Sequence, residues 1–318
     1  MSAAVEIEED VTDTLSERLQ TLFASPQYRP PVLPGVALQI VELAQRPNVG
    51  FDEVVGVLEK DPLLAGRVLS VSSSAIHAGM AKVVSLKQAA VRIGLKTLRD
   101  LVLEAAMNLR VFRVPGYEEP MERLRRHSSV VAQLARVVCK RTVVDAEHAF
   151  ICGLLHDVGF AAGVLALVED RRAGPPIAFE YLAPAVISVH EEAAAQVTRL
   201  WKLPEEIQWV VGAHHQVGPR AHPLVPVLVI AEQLAYELDA GLTPIEWPEG
   251  ASHDEPPVPP RSALDANGPD TIASALKALH LDAAGLDLLR AEALEVFLKM
   301  TEGASAKPAA APGPRARR

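Results

Sequence analysis

Cysteine is almost absent from this 318-residue chain, which has only Cys139 and Cys152. A disulfide scaffold is thereby excluded, and both residues read as small buried hydrophobes in a reducing compartment. Aromatic residues are scarce too, 4% against 49% hydrophobic residues overall. The core must then be built from Ala, Val and Leu, which favours helix packed on helix over strands. No uninterrupted apolar run reaches the about 20 residues that cross a bilayer. The acidic opening MSAAVEIEEDVTDTLSER lacks the basic-then-apolar order of a secretory signal. These absences point to the cytoplasm and to no membrane partner. Basic charge is short as well: 31 Lys and Arg against 40 Asp and Glu leave −9, which disfavours nucleic acid as a partner. The basic clusters LRR (124–126) and KRT (140–142) read as solvated helix faces. A Gly-rich phosphate loop is missing, and Ser128 and Ser129 lack the strand-to-helix turn of a hydrolase nucleophile.

What is present is helical periodicity. Residues 1–27 form an amphipathic lead-in with Val11, Leu15, Leu19 and Leu22 at helical spacing, closed by RPPVLPG (29–35). Short helices follow over 36–44 and 51–58. A third is capped by Asp61 with Pro62 behind it, a fourth by Ser85, and Gly94 stands before a fifth. This N-terminal subdomain spans 28–112, and the joined helices 85–93 and 95–109 faintly suggest a helix-turn-helix. A second set occupies 113–240, with a stripe of Val130, Val131, Leu134, Val137 and Val138, a loop RRAGPP (171–176), and helices over 186–201 and 204–215. The acidic, Pro-rich WPEGASHDEPPVPPR (247–261) is too poor in apolar residues to pack. It belongs to a C-terminal extension (241–303) whose helix at 286–300 docks back. The tail 304–318 is disordered by composition.

Five of the ten histidines fall where periodicity points them inward or beside a helix end. His127 precedes the Val130 stripe by one turn, and His190 sits among Val186, Ala193 and Val197. His214 continues Ile207, Val210 and Val211, with His215 adjacent. His156 ends ICGLLH and is followed by Asp157. A lone inward histidine is ordinarily a hydrogen-bonded core residue. Five, with a His–Asp pair at a helix break, favour a divalent metal such as iron, manganese or zinc. His77, His222, His253 and His280 read as solvated, and His148 as part of an exposed first turn.

In this order LPGVALQIVEL, EKDPLLAGRVLSVSSSAI, SLKQAAVRIGLKTLRDLVL, HSSVVAQLA, AFICGLLHDVG and RLWKLPEEIQWVVGAHH resemble the HDOD domain, an HD-related output domain of bacterial signalling proteins. The resemblance covers residues 28 to 240, more weakly to about 300. It implies an all-α fold, a small N-terminal helical bundle packed on a divergent bundle of the HD phosphohydrolase type. It also implies a metal set of His127, His156, Asp157, His190, His214 and His215. The late aspartate of HD hydrolases is matched by Glu232, one methylene longer. The acidic residue that relatives carry shortly before the third histidine is absent from YLAPAVIS, and Ser73-Ser74 stand where relatives have Asn-Ser.

Three functions follow as expectations. The first is a signalling or regulatory module acting through a protein partner, with the histidines packing or holding a metal; family members generally serve so, which leans against catalysis. The second is a metal-dependent phosphohydrolase acting on a cyclic dinucleotide or nucleotide. There Asp157 is the catalytic carboxylate bridging two ions, and Lys87, Arg92, Arg125 or Arg126 steers phosphate. The third is a nucleotide sensor that binds without turnover.

Overall fold

The computed structural model describes residues 2–33, 35–44, 46, 48–60, 64–66, 68–69, 85–170, 177–242 and 267–305. Among these residues there are thirteen helices and no strand, as the scarcity of aromatics implies. The N-terminal helices are α1 (Ser2–Ala24), α2 (Gly35–Ala44), α3 (Phe51–Leu58), α4 (Leu86–Ile93) and α5 (Leu95–Arg110). The central ones are α6 (Glu118–Cys139), α7 (Ala146–Leu155), α8 (Val158–Glu169), α9 (Phe179–Leu200), α10 (Glu205–Val211) and α11 (Leu224–Glu237). Two more close the chain, α12 (Pro269–Ala278) and α13 (Ala283–Ser305).

Helices α2 to α5 pack on one another as a small bundle. Ser85 caps α4 by accepting the Gln88 N–H, and Gly94 ends it with φ +84° before α5 begins, a conformation that favours glycine. The expected Asp61–Pro62 cap and the Ser73-Ser74 pair lie outside the described residues, as do the 171–176 loop and the Pro-rich stretch 247–261. Among the described residues, helix α1 makes its main contacts outside this bundle. It buries Leu15, Leu19 and Phe23 and packs along α9, with Arg18 paired to Asp170 at 2.9 Å.

In the second set α6 packs against α7 and α11, and α8 lies along α9. Two glycines let one helix approach the backbone of another. A Cβ on Gly153 would stand 2.9 Å from the Ala132 Cα of α6, and one on Gly159 would stand 2.0 Å from the His190 carbonyl oxygen of α9. The two bundles meet at a buried ion pair: Arg136 of α6 grips Asp100 of α5 through both guanidinium nitrogens, at 2.5 and 2.9 Å. Arg136 also reaches Glu147 at 2.7 Å and lies 3.8 Å over the Phe150 ring.

Several sequence expectations need correction. Helix α9 starts seven residues before 186 and runs through Pro184 in its second turn, where proline forgoes the bond to the carbonyl four residues back. Helix α10 ends at Val211, so His214 and His215 lie in the turn beyond it. The segment Ala146–Glu169 does meet the length and hydropathy of a membrane span, contrary to the sequence reading. It is nevertheless two helices broken at His156–Asp157, with 89% of its apolar window buried inside the protein.

The docking helix is longer than expected: residues 304 and 305 close α13, while 306–318 lie outside the described residues. Lys140 and Arg141 are not simply solvated. Both pair with Glu292, fastening α13 to the end of α6.

The glycine contacts give a stability test. Gly159→Ala drives a methyl into backbone and is expected to lower the unfolding free energy by about 3 kcal/mol or more in urea denaturation. Gly56→Ala, in α3 with nothing within 4 Å of the added carbon, is expected to raise it by about 0.4–1 kcal/mol.

Candidate metal centre

The break between α7 and α8 leaves His156 as the last turn of one helix and Asp157 at the head of the next. Around this pair gather His127 from α6, His190 from α9, His214 and His215 from the turn after α10, and Glu232 from α11. All seven residues singled out by the sequence therefore meet. His127, His156, Asp157, His190, His214 and Glu232 are buried, and the His215 side chain is 36% exposed.

The imidazoles share one orientation. The Nδ1–H groups of His156, His190 and His214 donate to the carbonyls of Gly153 (2.8 Å), Ile187 (2.6 Å) and Val211 (2.8 Å), each three residues back. His127 donates to the Ala240 carbonyl at 2.9 Å, and His215 to the Asn267 side-chain oxygen at 2.9 Å. A neutral imidazole that donates through Nδ1 keeps a lone pair on Nε2. The Nε2 atoms of His127 and His156 stand 3.2 Å apart, as do those of His190 and His214. Two lone pairs at that separation repel unless a proton or a metal cation is shared between them.

Asp157 supplies the countercharge to both pairs. Its Oδ2 lies 3.1 Å from His156 Nε2 and 3.6 Å from His127 Nε2. Its Oδ1 lies 3.5 Å from His214 Nε2 and 3.7 Å from His190 Nε2. Glu232 turns Oε1 toward His156 at 3.6 Å, and that buried oxygen accepts no hydrogen bond. Its Oε2 accepts from Asn267 at 2.8 Å.

Without metal, protons fill the role. Burial disfavours charge on His156, but the Asp157 carboxylate outweighs it and raises the pKa to about 9. His214 is raised as well, against its burial, by Asp157 and Glu232. Burial and the His214 charge push His190 down to about 4, and the same two causes lower His215. Within the His190–His214 pair the two rings are therefore pushed in opposite directions. Asp157 stays well below the ordinary carboxylate range despite burial, chiefly through His156.

The donors fit a divalent cation of the iron, manganese or zinc kind. They are imidazole nitrogens and carboxylate oxygens, with an orphaned carboxylate oxygen aimed inward and no thiolate. Three sets of donor atoms each fall within 4.8 Å of one another: His127, His156 and Asp157; His190, His214 and His215; and His156, His214 and Glu232.

The remaining sequence candidates stand elsewhere. Lys87 pairs with Asp52, Arg125 with Glu122, and Arg126 lies 5.4 Å over the Phe297 ring; Arg92 is in the last turn of α4. His148 is in the first turn of α7, its N–H bonded to Asp145, and His280 is exposed. His222 is half-buried rather than solvated, paired with Glu206 at 3.1 Å and set edge-on to Trp209. His77 and His253 lie outside the described residues.

Two functional neighbours escaped the sequence reading. Glu191, next to His190, accepts the His215 N–H at 3.0 Å and the Gln216 amide at 3.0 Å, and so fixes the turn bearing both late histidines. Asn267 is the other. Neither has a local sequence signature, although the acidic neighbour of a histidine is the feature that could have drawn attention to Glu191.

Comparison with known proteins agrees with this fold. The HDOD domain family model matches residues 31–217. A crystal structure of an HDOD domain protein of unknown function from Geobacter sulfurreducens superposes with TM-score 0.59 at 22% identity, covering 92% of this chain and 96% of that one. One from Marinobacter aquaeolei VT8, described as a candidate signal transduction protein, gives 0.61 at 21% identity over 94% of this chain and 64% of that one. A third, from Shewanella amazonensis SB2B, described as a candidate metal-dependent phosphohydrolase, gives 0.54 at 19% identity over 85% and 98%. An uncharacterized Treponema pallidum protein is 25% identical over 230 residues, 68% of this chain and 44% of the relative's own length.

The metal-free cluster has a defined pH signature. His156 holds its proton in the folded state up to about 9, against 6.5 as the ordinary value. Its contribution is fully present below pH 6.5 and is lost as pH rises toward 9. His190, depressed to about 4, acts oppositely: its contribution is present above pH 6.5 and is lost as pH falls toward 4. Urea denaturation of chelator-treated protein is expected to show stability declining from pH 7 to 9, by up to about 1.4 kcal/mol per pH unit. His156→Gln flattens that slope. A slope equally steep in the variant would assign the decline to other groups.

Proposed function

The chain belongs to the HDOD domain family, and from that premise we propose that it is a regulatory module of signal transduction whose histidine–carboxylate cluster holds a divalent metal within the core. Output passes through a protein partner, in the cytoplasm. The observation that supports this reading is the burial of the cluster together with the uniform Nδ1 anchoring of five imidazoles. Such anchoring prepares donors for a cation before it arrives.

His127, His156 and Asp157 would hold one ion, and His190, His214 and His215 a second, with Asp157 reaching both and Glu232 contributing Oε1. A bound divalent metal supplies Lewis acidity and can lower the pKa of a water. The chain's own contribution is structural: α6, the α7–α8 break, α9, the turn after α10 and α11 are drawn to one point. Free Cys139 and Cys152, both buried, suit a reducing compartment.

A second reading is a metal-dependent phosphohydrolase, or a sensor, for a nucleotide or cyclic dinucleotide. What favours it is the placement of Asp157 between two imidazole pairs, the arrangement a carboxylate needs to bridge two ions in phosphoryl chemistry.

Elemental mass spectrometry on chelator-free protein separates these readings when paired with a turnover assay. The expected result is near-stoichiometric metal that is lost in a His156→Ala, Asp157→Ala variant, and no release from cyclic dinucleotides with Mn²⁺ or Fe²⁺ supplied. Turnover would establish the second reading. A folded protein that stays empty in excess metal would reduce the histidines to core residues.

A further inference from the structure

Three of the five histidine tautomers are set locally, by a carbonyl three residues back in the same turn. The other two are set by the chain beyond α11: His127 by the Ala240 carbonyl and His215 by Asn267. Asn267 also donates to Glu232, so a single buried carboxamide touches two cluster residues from different elements.

The direction of these bonds is fixed. An ionised carboxylate only accepts, so the Asn267 amide NH₂ faces Glu232 Oε2 and its oxygen faces His215 Nδ1. Two consequences follow. His215 donates through Nδ1, as the other four do, which leaves its Nε2 for the cluster. Glu232 has one oxygen occupied by the amide, while Oε1 accepts no hydrogen bond.

Residue 267 lies outside the region matched by the family model. It immediately precedes Gly268 and Pro269, which open α12, and α12 packs on α11, the helix that carries Glu232. Helix α13 packs on α6, which carries His127, and is fastened by Arg290 to Glu237 through two bonds of 2.9 Å. Docking of these two helices and the disposition of the cluster therefore share one set of contacts.

Resting on the metal reading above, we propose that Asn267 is a positioning residue of the cluster, and that through it metal binding and the docking of α12 and α13 are coupled. Coupling of this kind is reciprocal: metal tightens the C-terminal helices, and their release weakens metal.

The test titrates Mn²⁺ into full-length wild type, Asn267→Ala and Asn267→Asp by calorimetry, with hydrogen exchange over residues 269–305. Asn267→Ala is expected to weaken Mn²⁺ about 10–100-fold. Asn267→Asp is nearly the same size and keeps the acceptor for His215, but sets a second carboxylate against Glu232. It is expected to bind at least as weakly, whereas a residue that merely packs would leave it like wild type. Mn²⁺ slows exchange of α12 and α13 in wild type and not in Asn267→Ala. Equal affinities in all three proteins, or exchange in wild type indifferent to Mn²⁺, would overturn the coupling while leaving the metal reading intact. A wild type that takes up no Mn²⁺ would overturn both, and that outcome is identified from the wild type alone.

Discussion

A carboxylate with almost no solvent sits at the head of α8, and the arrangement of the central bundle answers to it. Burying an ionised Asp157 without compensation costs several kcal/mol. Compensation has to come from positive charge on more than one side, since both oxygens are enclosed. The chain supplies two imidazole pairs, one facing each oxygen. Each pair is itself unstable without a cation between its Nε2 atoms. The charge on Asp157 and the lone-pair repulsion within the pairs are therefore complementary defects, and one or two divalent ions would relieve both together. Without metal, Asp157 raises the pKa of His156 while burial and the His214 charge lower that of His190.

The distances in this cluster follow from backbone packing. Gly153 lets α7 approach α6, bringing His156 to His127, and Gly159 lets α8 approach α9, bringing Asp157 to His190. The same residues serve twice. The Gly153 carbonyl accepts the His156 ring proton, and the His190 carbonyl is the atom that an added Cβ at 159 would strike. The run GLLHDVG thus combines the His156–Asp157 pair with the two small residues that make its neighbours reachable. Core close-packing leaves little room for other side chains there.

Helical stripes in the sequence were sufficient to read an all-α fold and to place His127 and His190 on inward faces. Periodicity reports which face of a helix is buried, and it carries no record of which helices meet. The resemblance to a family supplied that long-range information for the seven cluster residues. Outside it, the signals ran out. Asn267 acts on His215 from 52 residues away and on Glu232 from 35, with nothing local to mark it. Helix α12 was missed although Gly268–Pro269 is a fair helix start. Lys140 and Arg141 passed for a solvated face because their partner, Glu292, lies on a helix 151 residues later.

Access to the cluster ties these observations to function. Hydrolysis needs an open edge through which a phosphate ester reaches the ions. The cluster side chains are buried except at His215, 36% exposed. That edge is also where Asn267 engages His215 and Glu232. A hydrolase whose substrate entered by displacing Asn267 would deprive Glu232 and His215 of the partner that orients them. For a regulatory core, the segment stays, the site is complete, and the position of α12 and α13 reports whether metal is bound. The second arrangement asks less of the chain: Asn267 keeps its bonds to both His215 and Glu232, and the buried Glu232 carboxylate keeps the amide that orients it.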